Sequence, residues 1–167
     1  MARFLEKHEN IRTRELFSLC FPDEDFLMEH YGDKGEGLSC RTAAAERDGA
    51  IVSMAQLVRR SAVYGDRSIP VWYIMGVCTH PSYRHRGLMD EVLKLVLREL
   101  RAEGEDWCFL MPVDKAIYRH LGFVHDFDIG TEKELELLYA DDGLSSCSAC
   151  LLCGEHFQKP EKIDIYP

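Results

Sequence analysis

The 167 residues carry 46% hydrophobic and 29% charged side chains, ordinary values for a single folded domain. A net charge of −9 excludes a general nucleic-acid binder, whose electrostatic footprint is basic; it suits solubility or a cleft that attracts a cation. No apolar run reaches the length of a membrane span, and "MARFLEKHEN" puts charges where a signal peptide needs an apolar core. Without an export signal, the seven cysteines read as reduced cytoplasmic thiols.

Along the chain, residues 11–30 carry apolar side chains at helical spacing interrupted by Pro22, which predicts two short helices. After the glycine-punctuated "GDKGEG", two strands are expected around Asp48-Gly49, a strong hairpin signal. A second turn at Gly65-Asp66 leads into "IPVWYIMGVCT", nearly continuous in hydrophobicity, as a central strand buried on both faces should be. Further on, Leu88, Val92, Leu93, Leu95, Val96 and Leu100 form a helical apolar stripe that stops at Gly104. "DWCFLMPV" reads as a buried strand and "DKAIYRHLGF" as a short helix ending at Gly122. "FVHDFDI" and "KELELLYA" read as strands, and the tail from Asp141 as irregular. This order predicts one mixed α/β layer structure.

Between the central strand and the striped helix lies a basic knot, "HPSYRHRGLM" at residues 80–89. A helix start exposes N–H groups without intrahelical partners and is the positive end of the macrodipole, so it favours an anion such as phosphate. Gly87 lets a ligand approach the main chain, while Arg84 and Arg86 add guanidinium groups that can pair with phosphate oxygens. On spacing alone, a pyrophosphate cradle and a solvated surface turn both stand open. The P-loop pattern is missing, and so is the Rossmann Gly-x-Gly-x-x-Gly with its following acid.

"VCTHPSYRHRGLM" resembles the acetyl-CoA-binding motif of the GNAT N-acetyltransferases, an Arg/Gln-x-x-Gly-x-Gly/Ala loop after a strand and a His-Pro-x-Tyr/Phe-Arg lead-in. "FLMPVDKAIYRHLGF" resembles the family's next motif, a strand, a helix bearing tyrosine, then Leu-Gly-Phe; the two stand in the family's order and spacing. The resemblance covers about residues 10–130 and extends to larger bacterial members related to the aminoglycoside-acetylating, enhanced-intracellular-survival type. It implies an α/β fold with a mixed central sheet flanked by helices, whose splayed central strands form the acetyl-CoA cleft. It also implies a single domain over residues 1–167, with the motifs in about 10–130 and a tail at 141–167.

By the same resemblance, Val77, Cys78 and Thr79 offer main-chain groups to the pantetheine arm of acetyl-CoA. Arg84, His85, Arg86, Gly87, Leu88 and Met89 wrap its pyrophosphate, and Tyr118 sits by the thioester sulfur. Met89 departs from the motif's usual Gly or Ala, and Tyr73 stands where many members carry a strand glutamate.

Acetyl transfer to an amine requires a neutral amine, a stabilised oxyanion and a proton for the departing sulfur. A main-chain N–H near Val77 can meet the oxyanion. A phenol of pKa ~10 can assist a thiolate of pKa ~8.5 without fully protonating it, the role that falls to Tyr118. Glu24, Glu29, Glu46, a water chain and the C-terminal carboxylate at Pro167 all stay open as the base.

"CSACLLCGEH" spaces Cys147, Cys150, Cys153 and His156 by threes, as zinc or iron–sulfur donors could be. Zinc sites usually join two separated pairs and the fourth ferredoxin-type cysteine is missing, so small buried hydrophobes are the expectation and no metal is assigned. Cys78 and Cys108 lie in buried-strand contexts.

The expected activity is acetyl transfer from acetyl-CoA, as cosubstrate, to a primary amine by direct attack in a ternary complex. A small-molecule or peptide amine, cationic ones included, is the expected partner, in the cytoplasm, without nucleic acid or membrane; a homodimer is a candidate assembly. The rival expectation is a regulatory module that binds acyl-CoA without turnover. A third is a metal-binding interaction protein built on the cysteine tail.

Overall fold

The computed structural model describes residues 1–22, 40–128 and 146–164. They fall into two compact units, Met1–Val58 with Ile74–Glu99 and Arg59–Tyr73 with Leu100–Pro167, and two long strands run through both. The sequence-predicted strand "KELELLYA", the second of the two N-terminal helices, Glu24, Glu29 and Pro167 lie outside the described residues.

In the first unit, β1 (Ala2–Phe4) pairs antiparallel with β2 (Cys40–Arg47), and β2 pairs antiparallel with β3 (Ala50–Tyr64). The hairpin between β2 and β3 turns at Asp48 and Gly49, whose φ values of 52° and 81° are those a two-residue turn of this hand requires. β4 (Arg67–Thr79) lies next to β3. A 3-10 turn, Lys7–Thr13, leads into α1 (Arg14–Cys20), which stops just ahead of Pro22. Leu16 and Phe17 of α1 pack with Ala44, Ile51, Met54 and Cys78. Burying a side chain the size of Phe17, 1% exposed, stabilises the fold by about 1.5–3 kcal/mol. On α2 (Leu88–Ala102) the buried stripe includes Leu97, which the sequence stripe left out, while Leu95 is only half-buried.

In the second unit, β3 and β4 continue, followed in the sheet by β5 (Trp107–Leu110), β7 (Ser146–Leu151) and β6 (Phe123–Asp128). β7 is antiparallel to both of its neighbours, and β8 (Lys162–Asp164) pairs antiparallel with β3. The strand–helix–strand connection from β4 through α2 to β5 is the link that joins parallel neighbours, so the sheet is mixed. Tyr73 stacks on Phe109 at 4.9 Å, and Trp107, Phe127 and Phe157 close an aromatic core around that pair.

The fold is therefore the expected mixed α/β architecture, with corrections of detail. The stretch expected as a short helix before Gly122 is two 3-10 turns, Lys115–Ile117 and Arg119–Leu121, with Asp114 capping the first through Ala116 N at 2.8 Å. The tail expected to be irregular contains β7 and β8. No described helix is long and apolar enough to cross a membrane.

Candidate active site

The end of β4 is held by the side chains around it. Gly76 takes φ 57°, which breaks the extended backbone inside the strand. Beyond it, Ser53 Oγ donates to Cys78 O at 3.1 Å and lies 2.8 Å from Thr79 Oγ1, and His80 N donates to Val52 O at 2.9 Å. Thr79 O accepts from Arg84 Nε at 3.2 Å. The knot thus folds back on the strand that precedes it.

Within the knot, Pro81–Tyr83 forms a 3-10 turn capped by His80, whose Nδ1 accepts from Ser82 N at 3.2 Å. The His80 and Tyr83 rings meet edge to face at 5.6 Å, and the Arg86 guanidinium lies 5.1 Å from the Tyr83 ring centre. Residues 84–87 are exposed. His85 at φ 60° and Gly87 at φ 74° both take left-handed backbone, a state a side chain other than glycine adopts at a cost. Two left-handed residues one apart thus bend the chain sharply just ahead of α2. Glu91 N donates to Gly87 O at 3.0 Å, so Gly87 caps α2 and the N–H groups of the next three residues have no intrahelical acceptor. A Cβ on Gly87 would meet no atom within 4 Å, so the space beside its backbone is open.

The acids of this first helical turn are engaged elsewhere. Glu91 pairs with Arg47 at 3.4 Å and with the N-terminal ammonium at 3.4 Å, and Asp90 pairs with Lys94 at 3.4 Å. Arg84 keeps its two terminal nitrogens without a partner among the described residues. A positive helix end, an exposed left-handed loop and two arginines therefore lie next to one another in the chain, a combination whose chemistry suits an anion such as pyrophosphate.

Nine of the ten expected site residues lie in the first unit, between Val77 near the end of β4 and Met89 at the start of α2. Val77 and Thr79 are half-buried and Cys78 is buried; Leu88 points into the core at 4% exposure and Met89 is half-buried. The Cys78 thiol is pushed up by burial and then by neighbouring Cys20, which keeps it protonated. Tyr118, the tenth, belongs to the second unit, where it links the two 3-10 turns with its ring edge-on to Phe123 at 6.2 Å.

Glu46 does not suit the work of a base. It bonds to Arg12 at 2.7 Å and Arg3 at 2.6 Å, and the Arg12 guanidinium above all holds its carboxyl below the usual range. The cysteine tail does not assemble a donor set either. Cys147 and Cys150 are three apart on a strand, so they face opposite sides of the sheet, both buried, while Cys153 and His156 are exposed. Cys150 lies opposite Cys108 and donates to Leu121 O at 3.6 Å; Cys153 donates to Arg101 O at 3.4 Å. Among the described residues no three His, Cys, Asp or Glu side chains stand together as a metal site. Sequence reasoning passed over Ser53 and Gly76. A lone glycine within a strand was the available signal for the second.

A chain with this sheet and an exposed left-handed loop at this strand–helix junction has the architecture of acetyltransferases of the GNAT type. A sequence profile described as "Acetyltransferase (GNAT) domain" matches residues 2–125, and the protein belongs to that family. Two curated relatives from Streptomyces griseus, each described as an uncharacterized N-acetyltransferase, are 24% identical over 102 residues, 61% of this chain. The chain spans about a quarter of their length, 24%. Among solved structures, a GNAT family acetyltransferase from Brucella melitensis in complex with acetyl-CoA aligns at TM-score 0.67 and 14% identity, covering 99% of this chain and 95% of that one. Eis1 from Mycobacterium abscessus aligns at TM-score 0.58 and 21% identity, over 77% of this chain and 32% of that one. At such identities the likeness establishes the fold.

Proposed function

We propose that the protein is an acetyl-CoA-dependent N-acetyltransferase acting on a primary amine by direct attack in a ternary complex. The observation that carries this reading is the exposed loop at 84–87, with left-handed His85 and Gly87 opening the N-terminus of α2. Arg84, His85, Arg86, Gly87, Leu88 and Met89 hold the pyrophosphate, the first and third by side chain and the rest chiefly by main-chain N–H groups. Val77, Cys78 and Thr79 hold the pantetheine arm. Ser53 and Arg84 fix the carbonyls of Cys78 and Thr79, and each carbonyl oxygen keeps a second lone pair.

In the reaction the amine nitrogen attacks the thioester carbon, and a main-chain N–H near Val77 receives the developing oxyanion. The C–S bond breaks, the Tyr118 hydroxyl assists the departing thiolate, and water accepts the proton lost by the amine. A cytoplasmic location fits the free thiols, and the acidic chain favours amines that carry positive charge.

One observation supports a second reading, an acyl-CoA-binding regulatory module. Tyr73, at the place where relatives carry a basic glutamate, is 8% exposed and stacked on Phe109. Calorimetric titration with acetyl-CoA, followed by a CoA-release screen across polyamines, aminoglycosides, amino acids and peptides, separates the two. Amine-dependent CoA release is expected; tight binding with no release above background would establish the module instead.

A further inference from the structure

Beneath α1, the face of the sheet in the first unit changes character along its length. Ala44 and Met54, directly opposite each other on β2 and β3, belong to the apolar cluster with Phe17. Two residues along on the same face the opposed pair is Thr42 and Gln56. These are buried polar side chains, 1% and 3% exposed. Thr42 Oγ1 and Gln56 Oε1 have no hydrogen-bond partner among the described residues. Native folds seldom leave such atoms unmatched, since an unmade bond in a buried place destabilises the protein.

The amide is also aimed at a defined place. A Cβ on Gly76 would lie 2.9 Å from Gln56 Oε1 and 3.5 Å from Phe17 Cε2. A side chain at 76 would crowd that amide, and Gly76 is the residue whose left-handed φ of 57° interrupts β4 just before Val77. Two unmatched oxygens therefore stand together beside the stretch of β4 assigned above to the thioester.

We propose that Gln56 Oε1 and Thr42 Oγ1 are the subsite for the acceptor nitrogen, accepting N–H bonds from a neutral primary amine. This rests on the acetyltransferase reading and supplies the acceptor side that it lacks. Both oxygens are uncharged, and burial disfavours an ammonium, so the pair selects the form of the amine that has a lone pair for attack. An enzyme whose acceptor is desolvated in this way has less need of the strand glutamate that Tyr73 replaces. Positive charge on the rest of the acceptor is compatible with this subsite, which reads the reacting nitrogen alone.

The test uses the full chain with Gln56→Met and Thr42→Val, which keep size and remove the oxygens. Spermidine, L-lysine and kanamycin serve as amine probes. Each substitution should raise the melting temperature by about 2–6 °C, as expected when an unmatched buried polar atom is removed from a chain of this size. Each should also raise KM for the best-used probe at least tenfold and leave acetyl-CoA affinity within about twofold. A purely structural role gives a lower melting temperature, and either that or an unchanged amine KM would overturn the proposal. Failure of the acetyltransferase reading looks different, because the wild-type chain would then release no CoA above background with any of the amines, whether or not it binds acetyl-CoA; that result would take this proposal with it.

Discussion

The loop at 84–87 is exposed, with left-handed backbone at His85 and Gly87 and two guanidinium groups at the surface, and it opens onto the first N–H groups of α2, which have no intrahelical acceptor. In β7 the chemically capable groups face inward, with Cys147 at 0% and Cys150 at 1% exposure and a paired strand on each side. By residue type the second region is the richer one, since it holds thiols that bind metals and attack carbonyls. The contrast teaches that reactivity follows from what a group's polar atoms are already doing. Burial pushes the Cys147 thiol up, and the fully enclosed Cys108 thiol as well, so neither supplies a thiolate near neutral pH. The loop has no unusual residue type, yet its geometry leaves donors available.

The sharpest way to break the contrast is Gly87→Glu. A carboxylate there meets the pyrophosphate with like charge, worth several kcal/mol, so acetyl-CoA affinity should fall about 100-fold or more. Calorimetric titration measures this, and a circular-dichroism melt checks that the fold survives. Undiminished binding would remove the cradle.

Next in size is Cys147→Ser. An added hydroxyl in a fully buried strand position should cost about 1–3 kcal/mol, read by urea titration. Cys153→Ser, at an exposed site, should stay within about 0.5 kcal/mol. Equal effects at the two positions would mean that β7 is not the packed element described here.

Tyr118→Phe sharpens the loop's side of the comparison by separating binding from chemistry. Turnover should drop about tenfold, the low end for general acid catalysis because a thiolate leaves readily, with acetyl-CoA affinity unchanged. Steady-state kinetics under conditions where chemistry limits the rate decide it. Turnover equal to wild type would dismiss the tyrosine as acid.

The smallest expected effect concerns pH. Bonding to Arg3, then to Glu6 N, holds the Glu9 carboxyl down to about 2, and Arg12 holds Glu46 below the usual range. Folded values below the unfolded ~4.3 mean that the contribution is complete above that pH and fades as pH falls toward 2. Melting curves between these limits should therefore slope downward with acid, and Glu9→Gln should flatten part of the slope. High salt should reduce it as well, since the network lies near the surface.

Where local chemistry decides the structure, the sequence was legible. Asp48-Gly49 forces a hairpin because few other pairs adopt two left-handed residues in succession, and Gly87 announces a main chain that something approaches. The stripe of α2 is readable from its period, although the buried Leu97 lies outside the stripe as read and Leu95, inside it, is only half-buried. Other features depend on contacts distant in sequence. β7, "SCSACL", has few of the β-branched residues that favour strands, and is a strand because β5 and β6 flank it. The three-residue rhythm of its cysteines looked like a ligand set until the strand's two-residue period placed the first two on opposite faces. Thr42 and Gln56 carried no signal either, because a sequence does not reveal which polar atoms lack partners.

The placement of β7 between β5 and β6 also governs when the second unit can finish folding. β5 and β6 are both made before residue 129, and each exposes a strand edge toward the other until 146–151 arrives. On a ribosome adding about 5–20 residues per second, that gap stays open for one to several seconds. The last piece, β8 at Lys162–Asp164, must then find Ser61–Val63, made some 100 residues earlier. Chains halted before residue 146 would carry two bare edges rich in aromatic side chains, and such nascent chains should be the species that chaperones hold and that aggregates recruit.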